Sequence, residues 1–197
     1  MSHEAVVIGT SAGGMEALKV VLPALPASLL LRIAIVQHRD ERSDSYFTDC
    51  LNRICEIPVT EAEDKEPFSP GHIFMAPAGY HLLIEPDCSF SLSIDPRVNH
   101  ARPSIDVLFE SAAEVFGAAL IGIVLTGANA DGAMGLKTIT ERGGLAIVQN
   151  PENAVAGAMP RAALAATQAH HVADLEQIAP LLMGLCATGE AAYGTNG

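Results

Sequence analysis

At 197 residues, with 49% hydrophobic and 17% charged residues, the chain has the size and composition of one well-buried globular domain rather than a disordered polymer. Its net charge of −12 argues against non-specific binding to nucleic acid or to an anionic membrane surface, both of which need clustered cations. No apolar run approaches the roughly 20 residues that span a bilayer, and "MSHEAVVIG" lacks the basic region and apolar core of a signal peptide, so a cytoplasmic protein without membrane insertion is expected.

Along the chain, "EAVVIG" reads as a buried strand and "GGMEALKVVLPAL" as a helix with Met15, Leu18 and Leu22 on one face. "LLRIAIVQ" is a second continuous apolar strand, and "SDSYFTDCLNRI" follows as a helix. The middle changes character: "GHIFMAP", "YHLLIEP" and "SFSLSI" are short, partly alternating and punctuated by Pro, Gly or Asp, which predicts antiparallel strands. Regular alternation then resumes. "PSIDVLFESAAEVF" is a helix that Ser104 could cap, with Asp106 in its first turn. "AALIGIVLTG" is a strand, "DGAMGLKTITERG" a helix with a glycine stop, "LAIVQN" a strand, and "MPRAALAAT" and "DLEQIAPLLMGLC" are closing helices. Strand–helix alternation with continuously apolar strands predicts an α/β fold: a doubly wound, mostly parallel sheet with helices on both faces and an antiparallel hairpin edge. The domain is expected over residues 4–187, with 188–197 a frayed tail.

Three polar residues share one geometric class. Ser11 follows the first strand, His38 ends the second, and Asp131 follows "IGIVLTG" after a short loop. In an open parallel sheet the ligand crevice lies outside the carboxyl ends of the strands, so all three belong to one rim. "GTSAG" also matches G-x-S-x-G, in which a sharp strand-to-helix turn exposes the serine. The following helix start offers unpaired amides to a developing oxyanion. His38 can take the serine proton near neutral pH, and Asp131 can hold the imidazole in the required tautomer. Taken singly, each residue also has a blander role, His38 as a structural histidine and Asp131 as a helix cap. A dinucleotide site fits poorly, because Ser11 stands where a pyrophosphate needs glycine and "IAIVQH" ends in histidine rather than an acidic residue.

Other chemistry-bearing residues form no pattern. Cys50, Cys55, Cys88 and Cys186 match no zinc or redox spacing and are expected to be reduced, structural thiols. His170 and His171 are adjacent and diverge, and His72, His81 and His100 lack ligand-like spacing, so no metal and no cofactor is expected. Arg102 in "NHARPSID" is either a solvated structural arginine or one that steers an acidic segment.

The pieces "VVIGTSAGGMEAL", "IAIVQH", "PGHIFMAPAGYHLLI", "RPSIDVLFESAA", "VLTGANADGAMGL" and "AIVQNPENAVAGAMPRAAL", in this order, resemble the catalytic domain of the chemotaxis protein-glutamate methylesterases, CheB. The resemblance covers roughly residues 4 to 185. It implies a serine hydrolase that removes methyl esters from glutamate side chains on the cytoplasmic helices of bacterial chemoreceptors, releasing methanol; some members also deamidate receptor glutamine. The family's nucleophile falls on Ser11, its histidine on His38 and its aspartate on Asp131, with Ala12, Gly13, Ala128 and Asn129 as the oxyanion and substrate loops. The chain departs from the family at Ala12, often threonine, and in "TGANAD", often "TGMGND". The family's N-terminal receiver domain is not part of this sequence, which predicts a free-standing member or an excised domain, controlled if at all by a separate regulatory protein. Two competing readings are a triad acting on another ester or amide, and a catalytically silent binding module in a sensory pathway.

Overall fold

A strand covered on both faces has no solvent side to mark with polar residues, so the continuous apolar stretches become the strands of one parallel sheet. The computed structural model describes residues 3–39 and 46–190. Its strands are β1 (Ala5–Thr10), β2 (Arg32–Gln37), β3 (Val59–Glu61), β4 (His72–Met75), β5 (His81–Ile84), β6 (Phe90–Ser93), β7 (Leu120–Val124), β8 (Leu145–Gln149) and β9 (His171–Ala173). The helices are α1 (Gly14–Val21), α2 (Tyr46–Asn52), α3 (Ile105–Phe116), α4 (Ala133–Glu141), α5 (Ala158–Ala166) and α6 (Ile178–Glu190). Seven strands form the main sheet in the order β3-β4-β2-β1-β7-β8-β9, and every pairing in it is parallel.

The middle of the chain differs from its sequence reading. "GHIFMAP" was expected to be antiparallel, yet β4 runs parallel to β2, with Ile33 opposite Ile73 and Ile35 opposite Met75. Its three consecutive buried residues, Ile73, Phe74 and Met75, mark a strand covered on both faces, which alternation at its edges obscures. The antiparallel hairpin does form, from β5 and β6, but as a separate two-stranded sheet rather than as an edge of the main one. It is held by its apolar face: Leu82, Ile84 and Phe90 are buried, and the Phe90 ring lies 4.9 Å from those of Phe68 and Phe74. Strands β3 and β9, three residues each, are too short to leave a period in the sequence.

Helix ends follow local chemistry. α1 stops at Val21 and tightens into a 3₁₀ turn over Leu22–Ala24, where Pro23 cannot supply a helical N–H. The first residues of the helix expected over "SDSYFTDCLNRI", and the end of the expected tail, lie outside the described residues.

Alternate residues of each central strand feed two cores. Val6 and Ile8 of β1 pack with Leu18 and Val21 of α1, Leu51 of α2 and Ile178 and Leu182 of α6. Ala5 and Val7 face the opposite side, with Leu108 and Phe109 of α3, Leu136 and Ile139 of α4 and Ala163 of α5. Each fully buried Leu, Ile or Phe contributes roughly 1.5–3 kcal/mol against exposure, so the two cores lock the strand ends that carry the site. The four cysteines are free and half-buried; burial pushes the Cys55 thiol up to about 11, away from the reactive thiolate form.

α3 and α4 meet at Gly135, where an added Cβ would lie 2.5 Å from Phe109 Cβ and 3.1 Å from Asp106 Cα. Gly135→Ala should therefore cost about 1–3 kcal/mol by overpacking. Chemical denaturation checks this: a midpoint equal to that of the unsubstituted protein would show that the two helices have room to part.

Candidate active site

The sheet extends from β1 through β2, β4 and β3 on one side, and the later strands β7, β8 and β9 extend it on the other. β1 is thus the topological switch point, and a crevice opens beyond its carboxyl end. Thr10 pairs with Gln37 in register, so the residues just past them, Ser11 and His38, leave adjacent strand ends. The His38 N–H donates to Thr10 O at 3.0 Å. Asp131 arrives from the other side, on the loop between β7 and α4.

The turn that carries Ser11 is pinned on three sides. Its N–H donates to Thr126 O at 2.9 Å, while its carbonyl accepts from the Gly14 N–H and from Gln37 Nε2, both at 2.9 Å. Thr126 Oγ1 then donates to Ala12 O at 2.8 Å. Gly13 takes φ 80°, the left-handed conformation that lets the chain enter α1 directly. Among the described residues the Ser11 hydroxyl has no hydrogen-bond partner, which leaves it open to the crevice.

His38 and Asp131 meet directly. The His38 Nε2–H donates to Asp131 Oδ2 at 2.7 Å, and the other ring nitrogen, Nδ1, lies 3.3 Å from Asn129 Nδ2. Asn129 is oriented by its own loop, because its Oδ1 accepts from the Asp131 N–H at 3.2 Å and so turns the amide nitrogen toward the imidazole. The structure thus brings His38 and Asp131 together, while among the described residues no hydrogen bond joins Ser11 Oγ to His38, whose Nδ1 is the ring nitrogen not engaged by Asp131.

Asp131 is fully buried, and five donors converge on it. Oδ2 accepts from His38 and from the Ile105 N–H at 2.6 Å. Oδ1 accepts from Asn99 Nδ2 at 2.9 Å, Ser104 Oγ at 2.8 Å and the Asp106 N–H at 3.2 Å. Ser104 sits at the N-cap position of α3, but its hydroxyl donates to Asp131 rather than accepting a helix amide; Asp131 itself receives the first amides of α3. Burial raises the Asp131 carboxyl, yet the hydrogen bonds from His38, Asn99, Ile105 and Ser104 outweigh it and hold the pKa below the ordinary carboxylate value. Nearby Asp106 goes the other way, raised first by burial and further by the charge of Asp131, although the Gly135 amide and Asn99 bond it.

A cleft of about 250 Å³ opens over these groups, lined by Ser11, His38 and Asn129 and by a strap around residues 97–103. Ala12 and Ala128 adjoin lining residues and Gly13 follows one residue on, but none of the three lines the cleft itself. The strap is anchored at its base by His81, whose Nε2 donates to Pro96 O at 3.2 Å and whose Nδ1 accepts from the Ser104 N–H. Arg102 lines the cleft and also donates to Ile94 O at 2.8 Å, so it staples the strap. Sequence reasoning missed the roles of Asn99, His81 and Thr126, which depend on contacts between distant segments. Among the described residues no group of three or more His, Cys, Asp or Glu is placed to hold a metal, and the His170 ring accepts from the Ala146 N–H instead.

The sequence profile of one family, CheB methylesterase, matches residues 6–182. A Leptospira interrogans protein with the provisional name protein-glutamate methylesterase/protein-glutamine glutaminase is 53% identical over 185 residues, covering 94% of this chain and 96% of the relative. A Yersinia pestis protein named protein-glutamate methylesterase/protein-glutamine glutaminase is 37% identical over 193 residues, covering 96% of this chain and 55% of that protein. Among solved structures, the catalytic domain of the Thermotoga maritima CheB methylesterase superposes with a TM-score of 0.89 at 31% identity, covering 94% of this chain and 100% of that domain.

Proposed function

The chain belongs to the CheB methylesterase family, and from that premise we propose that it hydrolyses glutamyl methyl esters on chemoreceptor cytoplasmic helices, with Ser11 as nucleophile, His38 as base and Asp131 as its orienting partner. The relatives' names carry glutamine deamidation as well, and the same site is proposed to accept the amide. The single observation that supports this most is the 2.7 Å hydrogen bond from His38 to a fully buried carboxylate, beside a cleft that Ser11 lines. A silent binding module has no use for that arrangement.

The chemistry follows from the geometry. As the substrate carbonyl enters, Ser11 Oγ approaches His38 Nδ1, displacing the Asn129 amide, and attacks the carbonyl carbon while its proton passes to Nδ1. Asp131 stabilises the imidazolium and keeps the proton on Nε2 throughout. The oxyanion is proposed to be received by the amide of Asn129, which lines the cleft, and by that of Ala12 beside Ser11, the Ser11 N–H itself being engaged by Thr126 O. The tetrahedral adduct collapses with cleavage of the C–OCH₃ bond, His38 returns its proton to the departing oxygen, and methanol leaves a glutamyl ester on Ser11. Water then repeats the sequence and releases the free carboxylate. Arg97 and Arg102 line the cleft of a chain with net charge −12, which suits an acidic substrate segment, whereas Arg39, also on the lining, is ion-paired with Glu61.

Methanol release from methylated receptor membranes, set against a generic ester, tests the substrate. A serine-directed phosphonate should add once to the protein and not to Ser11→Ala, as read by intact mass, and turnover should persist in excess chelator. Chelator-sensitive turnover with no phosphonate labelling would replace this mechanism with metal-assisted hydrolysis.

A further inference from the structure

Asn99 joins two buried carboxylates through one nitrogen. Its Nδ2 donates to Asp106 Oδ2 at 2.7 Å and to Asp131 Oδ1 at 2.9 Å, so both amide hydrogens are used on like-charged groups. Asp106 is held at its other oxygen by the Gly135 N–H of α4 at 2.6 Å. An unbroken line of hydrogen bonds therefore runs from α4 through Asp106, Asn99 and Asp131 to His38.

The turn in which Asn99 sits explains its backbone but not this side chain. Val98 and Ala101 exchange both backbone hydrogen bonds, and the two residues between them, Asn99 and His100, have φ 51° and 64°. A two-residue hairpin of this kind requires positive φ at both positions, which asparagine tolerates and glycine prefers. Glycine would satisfy the turn and leave Asp106 and Asp131 facing one another with no donor between them. Two carboxylates repel in a buried setting, and without the bridge that repulsion works against the donors that remain, the Gly135 N–H on Asp106 and His38, Ser104 and the Ile105 and Asp106 amides on Asp131.

We propose that Asn99 is a positioning residue for the reaction: by bridging Asp106 and Asp131 it fixes the side-chain orientation in which Asp131 holds His38. The inference rests on the proposed Ser11, His38 and Asp131 triad. Asn99 acts on turnover through Asp131 and touches no reacting atom in this role. Asn99 also lines the cleft, so the strap that walls the cleft supplies the bridge between the two carboxylates.

The backbone requirement supplies the clean test. Asn99→Gly keeps the turn and deletes the bridge. In the full chain it should lower kcat on the order of 100-fold, the cost of a small misplacement of catalytic groups, with KM changed by less than about 3-fold. The ring ¹⁵N shifts of His38, which report the nitrogen that carries the proton, should show a single Nε2–H tautomer in the unsubstituted protein and a mixture in Asn99→Gly. Adding Asp106→Asn to Asn99→Gly should recover part of kcat, because the repulsion between the carboxylates is gone; a residue serving only the turn would show no such recovery. Should Asn99→Gly fail to fold, Asn99→Asp keeps the side-chain volume and adds a third carboxylate, and its kcat should fall at least as far. Unchanged kcat and an unchanged His38 tautomer in the variant that folds would overturn the proposal. The tautomer measurement needs no turnover, so it decides the role of Asn99 even if receptor esters prove not to be the substrate; loss of the triad reading would appear separately, as full activity in Ser11→Ala.

Discussion

Ser11→Ala and His38→Ala are each expected to lower ester turnover on the order of 10⁶-fold, and the double variant should lose little more than either alone. On the proposed mechanism, nucleophile and base act as one device. Without the Ser11 hydroxyl, His38 has no proton to take; without His38, the hydroxyl stays protonated and is a weak nucleophile at neutral pH. The hydrogen bonds around Ser11 predict that Ser11→Ala folds normally, because the turn is held by its backbone N–H and carbonyl and the hydroxyl has no partner to lose among the described residues. His38→Ala is different. It removes one of five donors from a fully buried carboxylate, so a measurable fall in stability should accompany the lost activity. Steady-state rates and denaturation midpoints on the three variants separate the two effects. Wild-type turnover in Ser11→Ala would show that the nucleophile lies elsewhere, and additive losses in the double variant would show that the two residues do not cooperate.

How much of this was legible in the sequence depends on how local each signal is. The rim residues Ser11 and His38 could be read because each directly follows an apolar strand, and parallel pairing of those strands brings their ends together. Asp131 needed one more step, the crossover that returns the chain to the other side of β1. The hairpin could be seen from alternation but not its separation from the main sheet, since its buried face reads alike in either setting. Asn99 was invisible for a different reason. Its signal is a positive-φ turn, which asparagine serves in any loop, and only the meeting of the strap with α3 and with the loop between β7 and α4 gives its amide two carboxylates to join. Ser104 was legible as an N-cap by type and position, yet a carboxylate from a distant loop took over the helix amides. A single sequence carries no trace of that competition.

Asp131→Asn should lower turnover on the order of 10⁴-fold and also weaken the fold, and the two losses have one cause. An ionised carboxylate offers acceptors on both oxygens, and both are used: Oδ2 by His38 and the Ile105 N–H, Oδ1 by Asn99, Ser104 and the Asp106 N–H. A carboxamide keeps one acceptor and puts an NH₂ group in place of the other. If the NH₂ faces His38, the imidazole must present Nε2 as an acceptor and carry its proton on Nδ1, the nitrogen needed to receive a proton from Ser11; the Ile105 amide is orphaned as well. If the NH₂ faces the other side, it opposes the amides of Asn99 and Asp106, and the bridge to Asp106 is broken. Neither orientation restores the native pattern, so stability should fall by roughly 1–3 kcal/mol, the scale for one buried group left unsatisfied. The pH dependence gives an independent check. Asp131 has a folded pKa below its ordinary value, so it binds its proton less readily in the folded protein than in the unfolded chain. Its contribution to stability is therefore fully present above the ordinary carboxylate pKa and is lost as pH falls through the folded value. Denaturation midpoints measured from neutral pH downward should accordingly fall less steeply in Asp131→Asn than in the unsubstituted protein. An identical acid limb in the two proteins would mean that the carboxylate at position 131 does not hold its charge in the folded state, and the account of how it orients His38 would have to be abandoned.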